Sequence, residues 1–152
     1  LQMTAITIMR VLIGWHFFFD VFSKLLILNW SAAGYLSQSK WIFAPIFQWM
    51  ADTPEVLSIV NQLNIWGLIL IGLALMLGAF TRLASFAGIL LILLYYFANP
   101  PFLGLYYSIP MEGNYLIVNK NLVEAAALFV VAVTGSGKFA GLDRLFTKML
   151  RK

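Results

Sequence analysis

Four stretches of the chain are apolar over lengths that suit a membrane span, and polar residues interrupt each of them. The first covers residues 3–28, MTAITIMRVLIGWHFFFDVFSKLLIL, and contains Arg10, His16, Asp20 and Lys24. At about 100° per residue on an α-helix, those four side chains fall within an arc of about 120°. Hydrocarbon cannot solvate such groups, so a spanning helix tolerates them only on a face turned to protein or to a wet cavity. The pattern therefore predicts a bundle around this helix and a polar site inside the bundle.

The remaining elements follow from punctuation and period. Residues 30–52 mix Gly34, Lys40 and Pro45 with Trp41, Phe43, Phe47 and Trp49, a stretch too interrupted to span and suited to short interfacial helices. Asp52-Thr53-Pro54-Glu55 reads as a helix start, with a capping side chain, proline in the first turn and an acid at the positive dipole end. The second span runs over 54–79, with small residues at helical spacing for close packing. Thr81-Arg82 makes a turn, and the third span covers 83–98, stopped by Asn99-Pro100-Pro101. A loop rich in Tyr, Gly and Pro over 102–113 leads to a fourth span over 115–134. Gly135-Ser136-Gly137-Lys138 caps it; a phosphate loop would need a glycine at Ala132 and a hydroxyl residue after Lys138. The tail, 139–152, has the two-faced pattern of a short helix on an anionic membrane surface. The expected fold is an all-α, up-down four-helix bundle in one domain, with an interfacial C-terminal helix.

Composition sharpens this. The 152 residues are 62% hydrophobic and 11% charged, against roughly 25% charged in soluble domains. The chain is expected to be an integral membrane protein with the lipid bilayer as its first partner. The first apolar segment is too long and too charged for a cleavable leader. The absence of cysteine excludes chemistry by the protein's own thiols, and one histidine excludes a bis-histidine haem. The net charge of +4 is concentrated near the C-terminus and in the turn at Arg82. It reads as membrane orientation rather than nucleic-acid binding, with both termini in the cytoplasm.

In that orientation the polar groups lie in the outer halves of all four spans: His16, Asp20 and Lys24, then Asn61 and Asn64, then Tyr95, Tyr96 and Asn99, then Lys120, Asn121 and Glu124. An up-down bundle brings them together. Asp20 with Lys24, and Lys120 with Glu124, are spaced to neutralise one another, and His16 can pair with Asp20 one turn on. Two candidate ligands without a third make no metal site. Arg10 is expected to reach the inner headgroups by its long stem, and Arg82 to anchor the inner turn. A cavity lined by His16, Asp20, Lys24, Asn64, Tyr95, Asn99, Asn121 and Glu124 suits a small amphipathic ligand with an oxygen-bearing ring, such as a quinone; a lipid headgroup fits the same description. No covalent cofactor is expected.

The run Arg10-Val-Leu-Ile-Gly14 with Phe18 and Lys24 resembles the DoxX-like membrane proteins. So do Gly72-Leu-Ala-Leu-Met-Leu-Gly78-Ala-Phe-Thr-Arg82, Asn119-Lys-Asn-Leu-Val-Glu124 and Gly135-Ser-Gly137 followed by Leu142-Asp143. The resemblance covers almost the whole chain and implies a four-helix protein of the bacterial cytoplasmic membrane. The family takes its name from a subunit associated with thiosulfate:quinone oxidoreduction, which implies a quinone- or redox-complex-associated subunit and other membrane subunits as partners. Relatives carry an acid near the position of Leu68, where this chain has only Asn61 and Asn64 nearby. Direct catalysis is therefore open, and the alternative is a non-catalytic accessory subunit holding partner helices or lipid.

Overall fold

The computed structural model describes residues 1–108 and 116–149. The elements are α1 (Gln2–Leu26), α2 (Ala33–Leu36), α3 (Ala44–Asp52), α4 (Pro54–Leu77), α5 (Thr81–Ala98), α6 (Lys120–Thr134), α7 (Ser136–Phe139) and α8 (Asp143–Met149). The described residues are thus all helical outside their connections. Three helices, α1, α4 and α5, are long and apolar enough to cross a membrane.

Those three pack with α6 around one core, built from Phe17 and Val21 of α1, Leu68 and Leu75 of α4, Ile92 of α5, and Leu128 and Val131 of α6. The outward faces are equally greasy: Leu12, Trp15 and Phe19, then Leu63, Trp66 and Leu70, then Leu83, Phe86 and Leu90 are exposed. A perimeter of that kind is stable against acyl chains and not against water. With apolar solvent outside, burying leucine inside gains little, so association leans on close packing of small residues. Gly14 and Gly72 supply it where α1 crosses α4: a Cβ on either would lie 2.9 Å from the other's carbonyl oxygen.

Element boundaries follow local chemistry. Helix α1 stops at Leu26, two residues short of the expected end, and the chain then turns through Asn29 at φ 60. Pro54 sits in the first turn of α4 and Gly78, at φ 67, ends it in the left-handed region, where a residue with a Cβ is strained. Helix α5 begins at Thr81, two residues earlier than the pattern indicates. The cause is remote in sequence: the Asp143 carboxylate accepts from Phe80 N at 2.7 Å and Thr81 N at 3.0 Å, capping the helix from the far end of the chain. Helix α6 starts only at Lys120, because the Asn119 side chain accepts from Leu122 N and fixes the N-cap there. The expected start at Tyr115 and residues 109–113 of the preceding loop lie outside the described residues.

In the C-terminal segment the short helix α8 is separated from α7 by Ala140–Leu142, and the backbone there docks on the end of α4. Leu142 N donates to Leu77 O and Asp143 N to Gly78 O. Residues 150–152 lie outside the described residues.

Arg10 belongs to this knot and not to the inner headgroups. It is 2% exposed, donates from Nη2 to Ala140 O at 2.7 Å, and lies in the field of Asp143. Its guanidinium presses on Gly78, where a Cβ would meet Nη1 at 2.8 Å. A stem long enough to snorkel is held inward because the docked tail offers a carbonyl acceptor that lipid tails do not. Arg82, exposed on the same end, donates from Nε to Ala132 O at 3.2 Å and ties the turn between α4 and α5 to α6.

Candidate functional site

At the opposite end of the bundle, residues of all four helices line a cavity of about 610 Å³. Helix α1 contributes His16, Asp20 and Lys24, α4 contributes Asn64, α5 contributes Tyr95 and its C-cap Asn99, and α6 contributes Asn121 and Glu124. All eight residues singled out from the sequence line this one space, with Lys120 at its edge. The remaining wall is apolar, including Phe17, Leu68, Leu91 and Ile92.

Lys24 is the hub of the polar wall. Its ammonium lies 2.9 Å from Asp20 Oδ2, and it donates to Asn64 Oδ1 at 2.9 Å and to Tyr95 Oη at 3.4 Å. It also stands 4.9 Å from the centroid of the Trp30 ring and 5.4 Å from that of Tyr95. The α1 spacing explains the first contact, since Asp20 and Lys24 are one turn apart with the acid first. The other two exist because α4 and α5 deliver an amide and a phenol at the same depth.

The second polar group crosses from α1 to α6. His16 Nδ1 and Glu124 Oε1 are 2.8 Å apart. The expected pairing of His16 with Asp20 gives way to this contact: Asp20 is committed to Lys24 on its own helix, and Glu124 reaches across the helix interface to the imidazole. An imidazole and a carboxylate in hydrogen-bond contact can hold one proton between them, with His16 half exposed and Glu124 largely covered.

Asn99, which also lines the cavity, is 1% exposed and donates from Nδ2 to Tyr35 O at 3.0 Å, so it clamps α2 to the end of α5. Tyr35 returns the connection by donating from Oη to Tyr95 O at 2.9 Å. Burial pushes the Tyr35 phenol up to about 12, so it remains a donor through the physiological range. Asn61 fixes the approach to α2 by accepting from Ala32 N at 2.9 Å. Asn121 lines the cavity and makes no hydrogen bond to another described residue.

The sequence pattern misses the cover. Trp30, Tyr35, Phe47 and Met50, from the segment between α1 and α4, fold over the mouth and complete the lining. Their aromatic content signals an interface, but nothing in their spacing signals that α2 and α3 turn back over the bundle. Among the described residues no group of three or more His, Cys, Asp or Glu side chains is placed to hold a metal ion.

Three apolar helices with an apolar perimeter, packed with α6 around a partly polar cavity, fit a helical membrane protein. The family model for DoxX matches residues 5–99, and the chain belongs to the DoxX family. That match carries Lys24, Asn64, Tyr95 and Asn99, whereas Asn121 and Glu124 lie beyond it. Comparison with curated proteins and with solved structures gives no match.

Proposed function

We propose that this chain is a quinone-associated subunit of a redox complex in a bacterial cytoplasmic membrane, and that the cavity holds the quinone head. The observation that carries the reading is the cavity itself: about 610 Å³, largely apolar, with Lys24, Asn64 and Tyr95 gathered on one wall and His16–Glu124 on another. Such a space suits a flat ring whose oxygens need hydrogen-bond partners and whose apolar tail leaves between helices. The His16–Glu124 pair is suited to exchange a proton with a ring oxygen, while electrons come from a partner subunit, since this chain has no cysteine to relay them.

In this reading α6 is the fourth span of an up-down bundle. Its 15 residues rise about 22 Å, short of a full hydrocarbon thickness. Arg82, Lys138, Arg144 and Lys148 cluster at the end away from the cavity, which supports cytoplasmic termini, an outward-facing cavity and a tail lying at the inner surface.

Purification in mild detergent followed by solvent extraction and mass spectrometry tests the reading. Wild-type protein is expected to retain quinone in near-stoichiometric amount. Glu124→Gln and Asp20→Asn are each expected to lower the retained amount several-fold with unchanged helix content. A preparation that carries only phospholipid, or a larger complex without quinone, replaces this reading with that of a non-catalytic accessory subunit.

A further inference from the structure

Hydrogen-bond polarity at the Lys24 wall can be worked out atom by atom. An ammonium has three protons and no lone pair, so it only donates. All three protons of Lys24 are engaged, by Asp20 Oδ2, Asn64 Oδ1 and Tyr95 Oη. Because Lys24 cannot accept, the Asn64 amide must turn its oxygen toward it, and this leaves Asn64 Nδ2 facing Tyr95 Oη. An amide nitrogen also only donates. Tyr95 Oη therefore accepts from two donors, Lys24 and Asn64, and both of its lone pairs are spent. Its own hydrogen is left over, with no acceptor among the described residues, on a side chain that lines the cavity.

We propose that the Tyr95 hydroxyl is the donor that reads the ligand, so that the cavity selects molecules presenting a carbonyl-type acceptor oxygen at the Lys24–Asn64–Tyr95 wall. This rests on the reading of the cavity as a quinone site and adds the atom that recognises the ring oxygen. Lys24 and Asn64 are positioning residues: they hold the phenol oxygen as an acceptor and thereby commit its proton outward. A ligand offering only donors, or no polar atom, gains nothing from this wall. The apolar remainder of the cavity binds both kinds of ring equally.

Two probes with the same tail separate recognition from packing: a decyl-substituted 1,4-benzoquinone and decylbenzene. Quinone binding to the full chain in detergent is read by quenching of tryptophan fluorescence, to which Trp30 beside the cavity contributes, and decylbenzene binding by competition. Wild-type protein is expected to prefer the quinone. Tyr95→Phe is expected to weaken the quinone by about three- to tenfold, the worth of one net hydrogen bond, and to leave decylbenzene unchanged. Equal weakening of both probes, or of neither, overturns the assignment of Tyr95 while leaving the quinone site standing. Absence of quinone binding to the wild type removes both.

Discussion

Asp143→Ala is expected to lower the stability of the folded bundle by about 2 kcal/mol, with the C-terminal segment detaching first. Two effects add. Phe80 N and Thr81 N lose their acceptor, and loss of a helix cap costs about 0.5–2 kcal/mol. Arg10, 2% exposed, also loses the field of a nearby acid; Asp143 is only partly buried and reaches Arg10 by field rather than by direct contact, so this second effect adds about 1 kcal/mol or less. Asp143→Asn keeps a carbonyl oxygen for one of the two amides and loses the charge, so it falls between. Arg10→Met is milder than Asp143→Ala, because Asp143 retains both amide donors when the guanidinium is gone. Thermal unfolding in detergent, with proteolysis of the tail as a second probe, reads all three. A loss below about 1 kcal/mol for Asp143→Ala contradicts the cap-and-charge account.

Gly72→Ala is expected to destabilise the bundle by about 2 kcal/mol, although alanine is the better helix former by about 1 kcal/mol. The sign is set at the crossing of α1 and α4. A Cβ on Gly72 would stand 2.9 Å from Gly14 O and 2.9 Å from Phe18 N, and backbone cannot swing aside as a side chain can. The two helices must separate, and in a bilayer it is this close approach of their backbones that holds them together. Gly67 on the same helix is the control, since a Cβ there meets nothing within 4 Å. Gly67→Ala is expected to be neutral or stabilising by up to about 1 kcal/mol. Equal effects at the two positions would remove close backbone packing as the reason for the glycine spacing.

Those two sites mark where sequence reasoning reaches and where it stops. The spans, the glycine spacing and the depth of the polar residues are local periodic signals, and eight residues that share a depth do line one cavity. Pairing is not local. His16 lies one turn from Asp20 and Glu124 one turn from Lys120, yet His16 and Glu124 meet each other because α1 and α6 face across the bundle. Arg10 illustrates the same limit. A long cation near a helix end ordinarily reaches for headgroups, and only the docking of Ala140 and Asp143, from the far end of the chain, turns it inward. The cover formed by Tyr35, Phe47 and Met50 is equally hidden, since an interfacial aromatic segment and one folded over a cavity have the same composition.

The central claim is that a ring with acceptor oxygens occupies the cavity, and a density map of the protein in lipid nanodiscs supplied with quinone tests it most directly. The account predicts planar density between the Lys24–Asn64–Tyr95 wall and the His16–Glu124 pair, with one ring oxygen within hydrogen-bonding distance of Tyr95 Oη. An acyl chain in that space, or no density there at saturating quinone, contradicts it.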